Sequence, residues 1–271
     1  DMQKPHITYS IFKELARPTL FIANSDLEAK KVYNELRFYT KDKVEYLGTD
    51  EIYFYHLDAK DRSEEAKKLR VLLKLAKKQK TIVVTSVDAI LRKYIPKKVL
   101  LDNIFTYKIG DIINLEELSQ NLVRLGYERV SRIEGLGQFS IRGGIIDVYS
   151  LEYTNPIRIE LFDDEIDSIR TFDVFSQKSI DKIKKVVITP SREFIYPEDT
   201  TSAVEKIKEE TNKYTDDDVL KNIENISDRT YFQGVENYID YLYDDQNKSI
   251  FSYLPDNGIV VMSDISRLKE R

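Results

Sequence analysis

The chain contains no cysteine. Disulfides, thiolate catalysis and cysteine-ligated zinc are excluded together, and the composition fits a cytoplasmic setting. Histidine is nearly as scarce. His6 and His56 are the two present, too few and too far apart for metal-ligand or catalytic-triad spacing. Nine glycines occur, and none is followed by lysine. A phosphate-cradling loop needs glycines whose amides approach the phosphate, then Lys and Ser/Thr; that combination is missing. No GxSxG, HExxH or kinase pattern is present either. No apolar run approaches the roughly 18 residues of a membrane helix, and no signal peptide opens the chain. Nor is there an excess of base. Lys and Arg number 42 against 47 Asp and Glu, for a net charge of −5. A free-standing nucleic-acid binder usually carries a basic footprint, so autonomous tight DNA binding is disfavoured, although a local basic patch is compatible with this balance.

What is present supports a real core. The chain has 271 residues, 41% of them apolar, enough for one large or two modest domains. It opens on Asp1 rather than Met and reads as a piece of a longer protein. Thr19 to Ala23 is a continuous apolar run of the kind found in buried parallel strands. Ser25 and Glu28 form a capping box that opens a helix to about Tyr39, with Leu27, Val32 and Leu36 on one face. Val44 to Leu47 reads as a strand. Asp61 and Glu64 open a periodic helix to about Lys78 with a stripe of Leu69, Leu72, Leu73 and Ala76. Thr81 to Thr85 is another buried-type strand, and Val87 to Tyr94 a short helix stopped before Pro96. This alternation predicts a parallel α/β layer.

The pattern changes near Ile104. Asn114 and Glu117 cap a helix containing Leu115, Leu118 and Leu122, and Gly126 ends it. Strands are predicted at Glu128–Glu134, Phe139–Tyr149, Ile157–Phe162, Ile166–Phe172 and Lys185–Ile188. Gly143-Gly144 within one of them signals a bulge or a close backbone approach, and Asp163-Asp164 a hairpin turn. This block is α+β and mostly antiparallel. Helices return at Thr201–Glu210 and Asp216–Asn225, where Asp216, Asp217 and Asp218 suit a helix start. Ile259 to Met262 is again a buried-type strand. The simplest architecture is an α/β domain built from both ends and interrupted by an inserted α+β domain: residues 1–103, 104–190 and 191–271.

Chemistry-bearing candidates are few. The first strand-to-helix turn reads Asn24-Ser25-Asp26, and Asp26 would repel a phosphate. Asp163, Asp164, Glu165 and Asp167 read as a solvated acidic turn rather than a Mg²⁺ site, with no base or nucleophile beside them. The strand Ile157–Phe162 is more informative. Alternation puts Ile157, Ile159 and Leu161 toward the core and Arg158, Glu160 and Phe162 outward. Outward Arg and Phe suit a docking surface. The plainer alternative is that Phe162 packs under a loop and Arg158 pairs with Glu160.

Three stretches carry a family resemblance: Gly126-Tyr127, Arg142 to Asp147 (RGGIID), and Ile157 to Arg170 (IRIELFDDEIDSIR). Together they resemble the module shared by the excision-repair protein UvrB and the transcription-repair coupling factor Mfd. Phe172 to Ser179 (FDVFSQKS), Val186 to Phe194 (VVITPSREF), Phe251 to Pro255 (FSYLP) followed by Ile259 to Val261, and TIVVTSVDAIL from Thr81 resemble the Mfd family more closely. The chain lacks the P-loop of UvrB-like proteins. It also lacks room for their long β-hairpin, because His56 runs through Leu57, Asp58, Ala59 and Lys60 almost directly into the next helix; Tyr53 and Tyr55 read as strand-end residues.

The resemblance implies a degenerate RecA-like domain, split in sequence by a UvrA-binding domain. It implies recruitment of UvrA to RNA polymerase stalled at DNA damage, without catalysis or cofactor in this chain. UvrA contacts map onto Arg142, Arg158 and Phe162, and Arg158→Glu should weaken docking with the fold intact. Downstream regions of the whole protein would supply the ATP- and Mg²⁺-dependent DNA translocase, the contacts to RNA polymerase and DNA, and a C-terminal region that masks the UvrA face. No membrane partner is implied. The rival readings are a UvrB-type ATPase or helicase piece and a DNA-binding repair domain.

Overall fold

Four short strands with apolar cores line up in parallel in the order Ile259–Met262, Thr19–Ala23, Ile82–Ser86, Val44–Leu47. These come from a computed structural model that describes residues 3–49, 62–211 and 217–264. Thr19–Ala23 and Ile82–Ser86 are buried along their whole length, as expected of strands covered on both faces. The edge strand comes from the far end of the chain: Thr19 pairs with Ile259 and Ile22 with Met262. Sequence ends that read separately therefore complete one sheet. The chain is mixed α/β, with this parallel sheet and separate antiparallel pairing elsewhere. It divides into two compact units: Asp1–Lys60, Lys67–Lys97 and Thr201–Arg271 make one, and Asp61–Ala66 with Lys98–Thr200 the other.

In the first unit the helix Asp26–Thr40 packs Ala29, Val32 and Leu36 with Phe21, Ala23, Val44, Ile82 and Val84. Leu27, expected on that face, is exposed. The spacing explains the error, because Ala29, Val32 and Leu36 follow the three-then-four rhythm of one helix face and Leu27 falls off it. A helix at Gln3–Leu15, unread in the sequence, adds Phe12 to this core. The helix Arg62–Ala76 buries Val71 and Leu75 as well as Leu69, Leu72, Leu73 and Ala76, so it is enclosed on more than the single predicted stripe. Tyr53, Tyr55, His56, the Leu57–Lys60 segment and Asp61 lie outside the described residues.

The Asp26–Thr40 helix is capped by Ser25, whose Oγ accepts the Glu28 amide at 3.2 Å. The Glu28 carboxylate reaches one residue beyond a standard capping box and accepts the Asn24 amide at 3.0 Å. Ser25→Ala is expected to lower stability by about 1 kcal/mol, measured as a lower denaturant midpoint with an unchanged slope.

In the second unit the helix Leu115–Arg124 starts as predicted. Asn114 Oδ1 accepts the Glu116 and Glu117 amides at 3.0 and 3.1 Å, and Leu118 and Leu122 are buried. Gly126 ends it at φ 86°, a left-handed angle glycine adopts without a Cβ clash. A six-stranded sheet follows in the order Ser179–Ile183, Glu165–Phe172, Ile157–Phe162, Ile145–Val148, Gln138–Arg142, Glu128–Arg129. The long strand expected over Phe139–Tyr149 is instead a hairpin: Gly143, at φ 58°, and Gly144 form its two-residue turn, and Arg142 pairs with Ile145. The close approach is real nonetheless, since a Cβ on Gly144 would meet the Leu161 carbonyl at 3.1 Å. A second, two-stranded sheet pairs Lys185–Ile188 with Phe105–Lys108. No helix among the described residues is long and apolar enough to cross a membrane.

Candidate functional site

The six-stranded sheet presents one apolar and one polar face. Ile146, Ile159 and Ile169 share a cross-strand row and are buried. The neighbouring row on the opposite face reads Ser140, Asp147, Arg158, Arg170, Lys182. An extra residue in the Glu165–Phe172 strand shifts register where Glu160 pairs with Ser168 and Leu161 with Ile166. This bulge brings Ile166 and Ile169 to the same buried side despite their odd spacing. The Ile157–Phe162 strand keeps its alternation, so Arg158, Glu160 and Phe162 lie on the polar face.

At the centre is Asp147, whose side chain is 2% exposed. It accepts Arg158 Nε at 2.7 Å and Arg158 Nη2 at 2.9 Å, a bidentate fork, and Arg142 Nη2 at 2.7 Å. Three adjacent strands thus converge on one carboxylate. The Arg158 side chain, 16% exposed, also stacks its guanidinium over the buried Phe172 ring at 4.4 Å. The hydrogen bonds to Asp147 hold the Arg158 pKa above its usual value, against an opposing effect of burial. Such a charge-assisted fork is directional and strong.

Glu160 does not pair with Arg158. It accepts Ser168 Oγ at 2.9 Å and pairs with Arg170. Desolvation raises its pKa, but the bonds from Arg170 and Ser168 and the nearby arginine charges outweigh this and leave it below the ordinary carboxylate value. A depressed folded pKa means that this pairing adds stability near neutrality and loses it on acidification through that pKa.

Phe162 does not pack under a loop. It ends its strand opposite Glu165, beside the Asp163-Asp164 turn, and is 76% exposed. Asp163 takes φ 54° in that two-residue turn, an angle Asp tolerates better than most residues. On the other side of Glu165, Ile112 bridges the hairpin, with the Ile113 amide donating to the Asp164 carbonyl at 2.7 Å. Ile112 is itself exposed, so two apolar side chains flank an acidic turn.

The three residues singled out in the sequence share this face but differ in state. Phe162 is open, Arg142 is half-exposed, and Arg158 is largely covered. Asp147 and Phe172 were missed. The signal was available only after the Gly143-Gly144 turn was recognised, because that turn puts Arg142 and Asp147 on neighbouring strands.

The Asn24 turn at the end of the first parallel strand is internally occupied. Besides the Asn24 amide, the Glu28 carboxylate accepts Ser263 Oγ. Lys4 Nζ donates to Ser263 Oγ at 3.0 Å and lies 3.9 Å from Glu28. Asp26 accepts the Tyr46 hydroxyl at 2.5 Å and pairs with Lys30 at 3.3 Å. An anion of the chain's own stands at this helix N-terminus, where phosphates bind in nucleotide-binding folds.

Residues 105–194 match the family model described as the UvrB interaction domain. The whole chain is similar to curated transcription-repair-coupling factors. That of Bacillus subtilis (strain 168) is 31% identical over 277 residues, covering 97% of this chain and 23% of that protein. Those of Staphylococcus epidermidis and Staphylococcus aureus (strain USA300) are each 28% identical, covering 93% of this chain and 22% of theirs. The chain therefore spans under a quarter of the length of these relatives. The chain thus holds a stretch matching the UvrB interaction domain, and over nearly all its residues it is similar to transcription-repair-coupling factors.

Proposed function

We propose that this chain is a non-catalytic docking module that recruits UvrA during transcription-coupled excision repair. The observation that carries the reading is the polar sheet face, where Phe162 stands exposed beside a preassembled arginine–carboxylate cluster. Interface energy concentrates in such aromatic and arginine positions. Phe162 and Arg142 make the contact, in this reading, and Asp147 and Arg158 hold the surface in shape.

The parallel-sheet unit is read as a degenerate RecA-like domain, split at about residues 1–103 and 191–271 around an inserted domain at 104–190. Glu28 supports a scaffold without nucleotide, since its carboxylate takes the backbone donor a phosphate would need. ATP and Mg²⁺ then belong to a downstream motor of the whole protein, as do contacts to RNA polymerase and DNA. The whole protein would act in the cytoplasm, and its C-terminal region would mask the UvrA face until the motor engages, a population shift between closed and open states.

The test is a calorimetric titration of purified UvrA into this chain, run beside an ATPase assay. Saturable UvrA binding without ATP turnover by the chain alone is expected. Turnover by the chain, or absence of UvrA binding, overturns the reading. DNA affinity with a steep salt dependence would favour a nucleic-acid-binding domain instead.

A further inference from the structure

The turn after the Glu165–Phe172 strand is built with unusual care for a surface loop. Asp173 Oδ1 accepts both the amide and the hydroxyl of Ser176 at 2.8 Å. The Gln177 amide donates to the Asp173 carbonyl at 2.8 Å and the Asp173 amide to the Lys178 carbonyl at 2.9 Å. Gln177 Nε2 donates to the Val174 carbonyl at 2.7 Å. Gln177 sits at φ 60°, a left-handed angle that a residue with a Cβ keeps only when its surroundings hold it.

Two arginines from elsewhere tether this turn. Arg158 Nη2 donates to Gln177 Oε1 at 3.2 Å, and Arg132 Nη2 to the Phe175 carbonyl at 3.0 Å. Beneath lies Phe172, buried on the polar face with the Arg158 guanidinium against its ring. The product of these contacts is Phe175, 87% exposed, the most exposed large apolar side chain among the described residues. Its backbone is fixed while its ring stays in water. Binding through a fixed turn loses little conformational entropy, which is the advantage of preorganisation.

We propose that Phe175 is a second aromatic anchor for the partner that Phe162 engages, and that Arg158 is a positioning residue for its turn. The proposal rests on the UvrA-docking reading. Phe162 ends its strand on the polar face, and the Phe175 turn is tied to that face by the bond from Arg158 to Gln177. Phe162 lies four strand residues from Arg158, about 13 Å, and Arg158 holds Gln177, two residues from Phe175. A standard interface covers about 800 Å² per partner, a patch about 30 Å across, so both anchors fall within one footprint.

The test is titration of UvrA against five variants, one of them double. Phe175→Ala is expected to weaken binding about tenfold with an unchanged melting temperature, and Phe175→Leu to keep most of the affinity. Arg158→Lys retains a cation for Asp147 but loses the fork that holds Gln177. It should weaken binding alone, speed amide exchange over residues 174–178, and add nothing when combined with Phe175→Ala. Parental affinity in Phe175→Ala, with Phe162→Ala weakened, overturns the second anchor and leaves docking standing. Additive losses for Arg158→Lys and Phe175→Ala overturn the positioning role. Parental affinity in both phenylalanine variants overturns the docking reading itself.

Discussion

Phe162→Ala is expected to weaken UvrA binding by about thirtyfold or more while leaving the fold untouched. The figure follows from the roughly 2 kcal/mol that truncating an interface hot spot costs and the tenfold change in affinity for each 1.4 kcal/mol. The side chain is 76% exposed at the end of its strand, so little packing is lost on truncation, and surface changes of this kind usually stay within about 0.5 kcal/mol of neutral. The separation of effects is what makes the experiment informative. Isothermal titration gives the affinity and a denaturant melt gives the stability. A variant that binds as the parent does removes Phe162 from the surface; one that melts early shows that the ring is structural.

Arg158→Glu is expected to behave in the opposite way, destabilising the second unit by about 3–5 kcal/mol. This corrects the expectation that the same change leaves the fold intact. Asp147 is 2% exposed and takes two of its three arginine bonds from Arg158. Reversing the charge places a second carboxylate against a buried one and strips the cover from Phe172. Breaking a buried pair by removing one partner costs far more than the pair contributes net, because the remaining charge stays buried. A total stability of about 5–15 kcal/mol is typical of a domain, so this loss is a large share of it. Urea unfolding monitored by tyrosine fluorescence checks it, and an unchanged midpoint would sink the idea that Asp147 depends on Arg158. A binding defect in Arg158→Glu therefore reports on shape rather than contact, and Arg142→Ala, half-exposed and singly bonded to Asp147, is the cleaner arginine probe.

Much of the fold is legible without coordinates wherever local physics decides. Asn114 before an apolar helix, Gly126 after it, and alternation through Ile157–Phe162 each specify their element with information a few residues long. Where the reading failed, the competing force was not local. Gly143-Gly144 serves equally as a bulge or a turn until a partner strand exists, and the Ile145–Val148 strand settles it by pairing back on Gln138–Arg142. Glu128–Glu134 looked like a full strand, yet only Glu128–Arg129 pairs, because ladder hydrogen bonds depend on a neighbour in register. The Gln3–Leu15 helix went unread because its apolar residues do not mark its buried side: Pro5, Thr8 and Phe12 are buried while Ile7 and Leu15 are exposed, and the helix packs against the Asp26–Thr40 helix.

By itself the amino-acid order determined the class of layers, the outward parity of Arg158, Glu160 and Phe162, and the absence of a glycine–lysine phosphate loop, since each depends on residue type and short spacing. Tertiary structure alone decided which outward residues are available. Parity places Arg158 and Phe162 on the same face, but only the meeting of three strands buries Asp147 and draws one guanidinium inward, and only the folded turn at residues 173–178 sets Phe175 in water. A charge is captured by whatever partner the chain brings within about 3 Å, and that distance is a property of the assembled sheet.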